Sequence, residues 1–232
     1  MVKADKNNFL VLIPARGGSK GVPKKNTKSF ADGDSLVQRA IDIATSVFKL
    51  NQIIVSSDDL TALQQAKAKG VVALQRSPEL ASDTSGMLEV MIDAIKQYGQ
   101  NSTHLVLLQP TSPFRTTAHL EQAMSLMTDG DQAVVAVNEP KGHPFYTLFQ
   151  QNGEYIHKFK KNEVVRRQDL PSVYDVNGLI YIFEIKSLLK KSWIDFDFIK
   201  PLIVSSLVAM DIDTEQDWAL AELIERNKET IL

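Results

Sequence analysis

Short, uninterrupted apolar runs alternate along this chain with stretches of helical periodicity, and that alternation limits the possible folds more than any other feature. The segments Phe9–Ile13, Ile53–Val55, Val71–Leu74, Leu105–Leu108 and Ala133–Val137 carry no interleaved polar residues, which is the pattern of strands buried on both faces. Between them, apolar residues recur three and four apart: Leu36, Val37, Ala40, Ile41 and Ala44; Leu60, Leu63 and Ala66; Leu88, Met91, Ile92 and Ile95; Leu120, Met124 and Met127. Ser35 with Gln38 three residues on is a helix-start signal, and Asp83 or Thr84 precedes the third helical stretch. Strand–helix alternation with short connections predicts an α/β fold, a mostly parallel sheet covered by helices on both faces.

Past residue 139 the texture changes. Asn152-Gly153 between Leu148-Phe149 and Tyr155-Ile156 reads as a hairpin. Leu179–Phe183 resumes a buried strand, Ile203–Met210 carries a last short strand, and Thr214–Lys228 reads as a closing amphipathic helix. Residues 140–200 are therefore expected to form an antiparallel extension within a single domain spanning 1–232. Its Trp193, Phe196, Phe198 and Ile199 would leave apolar surface exposed in a monomer.

Composition removes several classes of chemistry. The chain has 232 residues and no cysteine, which excludes disulfides, thiolate metal sites and cysteine nucleophiles. Its four histidines are too scattered for a helical His-pair metal motif. The formal charge of −2 offers no general basic field for nucleic acid or membrane, so any anion chemistry is local. No apolar run reaches membrane-spanning length and the first residues are polar, so the expectation is a cytoplasmic protein.

The local exception is the segment after the first apolar run, Ile13-Pro-Ala-Arg-Gly-Gly-Ser-Lys-Gly-Val-Pro-Lys-Lys-Asn26. Gly17, Gly18 and Gly21 lie among the five cations Arg16, Lys20, Lys24, Lys25 and Lys28, and no acid occurs between Asp5 and Asp32. Glycines let backbone N–H groups approach an anion, and the carboxyl edge of a parallel sheet is where ligands bind in open α/β folds. The density of positive charge suits a polyphosphate. A solvated basic turn is the competing reading. The spacing fits neither the Walker loop nor the Gly-x-Gly-x-x-Gly fingerprint.

This segment resembles the nucleotide-binding signature of the CMP-sialic acid synthetases (acylneuraminate cytidylyltransferases), and the resemblance continues in order along most of the chain. It runs through Val55-Ser-Ser-Asp-Asp59, Arg76-Ser-Pro-Glu-Leu-Ala81, Leu107-Leu-Gln-Pro-Thr-Ser-Pro113, Arg167-Gln-Asp-Leu-Pro171, Asn177-Gly178 and Asp211-Ile-Asp-Thr214. One departure is Asp32-Gly-Asp-Ser-Leu36, a residue longer than the family's usual turn. The resemblance implies a nucleotide-diphospho-sugar transferase sheet with a small antiparallel extension that makes a homodimer. It implies transfer of CMP from CTP to the anomeric hydroxyl of a nonulosonic acid, or by the same chemistry to legionaminic, pseudaminic or an eight-carbon keto-deoxy acid. The closing helix leaves no room within these residues for the phosphatase-like domain of some animal members.

By matching position, Arg16, Lys20 and Lys25 hold the phosphates within the loop Ala15, Gly17, Gly18 and Ser19, while Asn26, Arg76 and Ser85 contact the nucleoside. Gln109 is assigned to the sugar acid, and Thr111, Ser112 and Arg115 present polar groups from the same stiff loop, although Thr116 and Thr117 could make part of it a helix cap. Arg166 and Arg167 are candidates for gripping the carboxylate, since a guanidinium is a planar two-pronged donor. The resemblance favours Arg167, and a solvated charged face is the alternative. His143 could line the sugar pocket or lie exposed in its loop.

Asp211 and Asp213, two apart in extended chain, point the same way and suit Mg²⁺ beside a triphosphate. The competing reading is an acidic helix entrance, in which Thr214 can cap and Glu215 and Asp217 favour the positive end of the helix dipole; both readings hold if Asp211 and Asp213 take metal and the rest cap. Asp58 and Asp59 pose the same ambiguity and are read as helix-entrance residues. No residue stands out as the general base; an Mg²⁺-bound hydroxide and Asp211 are both open to that role. A catalytically silent nucleotide sensor on the same scaffold would have no need of Arg16, Lys20, Asp211 and Asp213 together.

Overall fold

A computed structural model describes residues 5–19, 21–82, 85–158 and 166–231, apart from the side chains of Asn152, Ile156 and Arg167. Each apolar run becomes a strand. β1 (Phe9–Pro14), β2 (Ile53–Ser57), β3 (Val72–Gln75), β4 (His104–Leu107) and β5 (Ala133–Asn138) are joined by α1 (Leu36–Thr45), α2 (Leu60–Ala68), α3 (Met87–Tyr98) and α4 (Thr117–Leu126). A hairpin of β6 (Phe149–Asn152) and β7 (Tyr155–Lys158) follows, then β8 (Asp175–Glu184), β9 (Ile199–Ile203) and the closing helix α5 (Glu215–Arg226).

The main sheet has seven strands in the order β3-β2-β1-β4-β8-β5-β9. Only β8 runs against the others, pairing antiparallel with β4 on one side and β5 on the other. The extension is therefore narrower than expected. Only the segment around the β6–β7 hairpin leaves the main sheet, and β8 lies in the middle of it. Two further boundaries move. The last strand covers Ile199–Ile203 rather than Ile203–Met210, and as an edge strand it accommodates Pro201. The N-cap of α3 is Gly86, and Asp83 and Thr84 fall outside the described residues.

One face of the sheet packs Val11, Ile13, Val55 and Val106 against Val37, Ile41, Ala66 and Leu120 of α1, α2 and α4. The other face packs Leu10, Leu12, Leu105 and Phe183 against Val90, Met91 and Ile95 of α3. Phe196 joins this second core and Trp193 packs against it, so half of the aromatic segment expected at the surface is interior. Phe198 (65% exposed), Ile194 (74%) and Tyr155 (71%) remain outside. A third cluster joins Val22 and Phe30 of the first loop to Ile212 and to Trp218 and Ala221 of α5. It carries the end of the chain back to the start of the sheet. The longer turn holds Ala31 and Asp32 at positive φ (49° and 64°). It is tied to α5 by Arg226 to Asp32 at 3.0 Å and by the Ala31 N–H to Glu222 at 3.0 Å. No helix among the described residues is long and apolar enough to cross a membrane.

The start of α1 tests the local code. Ser35 is its N-cap in a reciprocal capping box with Gln38, and its hydroxyl also meets Gln65 at 2.8 Å. Ser35→Ala is expected to lower stability by about 1–2 kcal/mol in urea unfolding, and a loss near zero would show that packing alone holds this helix.

Candidate functional site

The ends of β1, β2, β3, β4 and β9 and the beginning of β8 all reach one edge of the sheet. The order reverses between β1 and β4, since chain entry is to β2 on one side and, after β3, to β4 on the other. Such a switch point leaves a crevice. Here it is a cleft of about 420 Å³ lined by Arg16, Ser19, Gly21, Lys25, Asn26, Arg76, Gln109, Thr111, Asp211 and Asp213, with Pro14, Pro110 and Met87. Residues almost 200 positions apart thus face one space.

The first loop is held from beneath. The Gly17 N–H donates to Asp58 Oδ1 at 2.9 Å, and a Cβ on Gly17 would sit 3.1 Å from the Asp59 Cβ. Asp58 is therefore an anchor for the glycine loop and not a helix cap, which is the job of Asp59 through the Thr61 N–H at 2.8 Å. Asn26 donates from Nδ2 to the Arg16 carbonyl at 3.0 Å, and Arg16 reaches the Gly18 carbonyl at 3.3 Å. Arg76 is buried against β2, donating to the Ser56 carbonyl at 2.9 Å. Burial pulls its guanidinium below the ordinary arginine range, with Asp58 opposing and Arg16 adding to the shift.

Gly21 is required by close approach: a Cβ there would lie 1.9 Å from the Asp213 carbonyl oxygen. Across that contact Lys25, nearly buried, donates to the Ile212 carbonyl and forms an ion pair with Asp213 Oδ1 at 3.1 Å. Asp211 lies deeper. Burial raises its carboxyl above the usual range, Asp213 raises it further, and Thr111 and Lys25 oppose. Its Oδ1 is buried without a hydrogen-bond partner. Thr214 caps α5 with Asp217, so capping is done without Asp211.

Arg115 turns inward rather than into the cleft. It is 6% exposed, and its guanidinium donates to the carbonyls of Gln109 (2.6 Å) and Leu179. Burial pushes it down to about 9, with Asp211 opposing. It holds the loop to β8. Ser112 is buried, and with Arg115 it lines a separate hollow of about 280 Å³ behind the loop. Ser85 is half-buried with its hydroxyl unpartnered. Thr116 caps α4 together with His119.

Arg166 is exposed and paired with Asp169 at 2.9 Å, outside the cleft. Lys20 and the side chain of Arg167 lie outside the described residues. His143 caps a short helical turn and meets the Pro171 carbonyl at 3.0 Å, bordering a different depression beside Tyr174. Sequence reasoning missed Asp58 as the loop's anchor, and it missed Met87 in the cleft wall. An acid just past a strand end looks the same whether it caps a helix or holds a neighbouring loop.

Residues 10–217 match the cytidylyltransferase family. The chain is 32% identical over 233 residues to the CMP-N,N'-diacetyllegionaminic acid synthase of Legionella pneumophila, covering 97% of this chain and 99% of that protein. It is 30% identical over 213 residues to the N-acylneuraminate cytidylyltransferase of Streptococcus agalactiae, covering 90% of this chain. It spans about half (51%) of the length of that relative. The fold is shared with a CMP:2-keto-3-deoxy-manno-octonic acid synthetase solved with CTP, at a TM-score of 0.70, 15% identity and coverage of 95% and 99% of the two chains. By the extent of the family match and of the identity to these relatives, the chain belongs to the cytidylyltransferase family.

Proposed function

We propose that this protein transfers CMP from CTP to the anomeric hydroxyl of a nonulosonic, sialic-type acid, releasing pyrophosphate. The observation that carries the reading is the single cleft that joins the basic glycine loop, the Asp211–Asp213 pair and the Gln109 loop. A triphosphate needs the first two and a polar acceptor substrate needs the third. Similarity over nearly the full length of a diacetyllegionaminic acid synthase makes that acid the second reading of the same chemistry.

In the reaction the acid's hydroxyl oxygen bonds to the α-phosphorus of CTP while the bond to the bridging oxygen breaks, and pyrophosphate carries the charge away. Arg16, Lys20 and Lys25 neutralise the phosphates, and Asn26, Arg76 and Ser85 receive the nucleoside. Gln109 and Thr111 face the acid, with Arg167 the candidate for its carboxylate. Alignment and fixed charge supply most of the acceleration in such a transfer. The carboxylates of Asp211 and Asp213 fit Mg²⁺, because the buried Asp211 Oδ1 has no protein partner and hard oxygen donors suit that ion. Bound there, Mg²⁺ would add charge neutralisation at the phosphates. Asp211 is the candidate for taking the hydroxyl proton.

Purified protein is expected to release pyrophosphate from CTP with N-acetylneuraminic or diacetyllegionaminic acid, and far less with ATP, GTP or UTP. Equal turnover of all four nucleotides would sink the cytidylyl assignment.

The carboxylates give a second test. Asp213 is exposed (74% of its side chain), so its pairing with Lys25 adds little stability. Asp213→Asn should melt near the parent yet lose about a hundredfold or more in turnover. Asp211→Asn should lose as much activity, but its melting temperature follows pH. A carboxyl raised above its unfolded value costs stability once ionised, so the variant should melt above the parent at alkaline pH. That gap should close as pH falls through the raised pKa toward ~4, where the parent is neutral too. A pH-independent difference would overturn the raised Asp211 carboxyl, and parental turnover in Asp213→Asn at low Mg²⁺ would remove the metal assignment.

The exposed Ile194 and Phe198, beside the edge strand β9, support a homodimer that covers them. Sedimentation should give twice the chain mass at micromolar concentration, and a monomer there would count against it.

A further inference from the structure

We infer that Gly178 is a positioning residue: its missing side chain is what lets the Gln109 carboxamide lie across the strand and face the acid, so that position 178 tunes selection of the acid. This rests on the activity proposed above and adds the residue that sets one wall of the acid's subsite.

Gly178 lies inside β8, between Asn177 and Leu179. Its backbone needs no glycine, since the glycines at positive φ are Gly70, Gly130 and Gly153. A glycine within a strand weakens it unless something must come close. Something does. A Cβ at position 178 would sit 2.2 Å from Gln109 Oε1, 3.3 Å from its Cδ and 3.2 Å from Ser112 Oγ. These are overlaps with the tip of one long side chain and a tight contact with a second.

The two backbones cannot separate to relieve the overlap. The buried Arg115 guanidinium binds the Gln109 carbonyl at 2.6 Å and the Leu179 carbonyl at the same time, fastening the loop to β8 beside the glycine. β4 and β8 are also paired just below, Leu107 opposite Tyr181. What gives is the Gln109 side chain, which is flexible and costs little to move. A methyl group at 178 therefore leaves the fold intact and turns the carboxamide. An amide both donates and accepts, and its hydrogen bonds are directional, so a turned carboxamide loses the acid's polar groups. Arg76 follows β3 and Asn26 lies in the loop after β1, and neither is among the atoms nearest a Cβ at position 178.

Gly178→Ala, Gln109→Ala and the double variant test this with CTP and the acid that the parent uses best. Expected for Gly178→Ala is a parental melting temperature, a parental KM for CTP and a KM for the acid raised about tenfold, the worth of one lost hydrogen bond. In the Gln109→Ala background the added methyl should change nothing further, because the cycle couples fully when one residue acts only through the other. An unchanged acid KM, an equal rise in the KM for CTP, a collapsed fold or additive losses in the double variant each overturn the positioning role. A parent that releases no pyrophosphate with any acid overturns the proposed activity and this inference with it, an outcome distinct from failure in Gly178→Ala alone.

Discussion

The site depends on one close approach, that of the chain's last segment to its first loop. Gly21 touches the Asp213 backbone where a Cβ would overlap the carbonyl, and Lys25 binds the adjacent Ile212 carbonyl and the Asp213 carboxylate. Beneath this seam Val22, Phe30, Ile212 and Trp218 form a cluster apart from the two main cores. Burying these side chains supplies the free energy that the Lys25–Asp213 pair, whose carboxylate is exposed, cannot. The seam brings cations and carboxylates into one cleft.

The cleft walls share a second property: their supports are buried or half-buried polar side chains that hydrogen-bond the backbone. Asp58 holds the Gly17 amide, Asn26 the Arg16 carbonyl, Arg76 the Ser56 carbonyl and Arg115 the carbonyls of Gln109 and Leu179. A charged group taken from water must be satisfied inside, and here that requirement fixes the shape of two loops. The rigidity matters because in-line transfer rewards pre-set alignment more than added affinity. By contrast, Asn26 Oδ1, Ser85 Oγ and Asp211 Oδ1 are buried without partners. Atoms of this kind around a cleft are suited to groups that a ligand brings.

Much of this could be read along the chain. Apolar runs placed β1 to β5 within a residue or two, because strands buried on both faces need continuous hydrophobicity. The basic glycine segment, Gln109 and the Asp211–Asp213 pair were all marked by residue type and by their place after a strand, and all of them reach one cleft. Arg115 and Arg166 were equally conspicuous yet stand outside it. An arginine looks the same in sequence whether it meets a ligand, a carbonyl or a neighbouring aspartate.

The sequence by itself determined the α/β alternation, the helix caps at Ser35 and Thr214 and the location of positive charge, since these follow from local periodicity and short-range hydrogen bonding. Only the tertiary structure decided that β8 would run antiparallel through the middle of the sheet, placing Gly178 beside Gln109 and Arg115 under both. Strand order and direction arise from packing between segments some 70 residues apart, and no short-range pattern encodes them. The same holds for the roles of Asp58 and Gly21, whose partners lie 41 and 192 positions away.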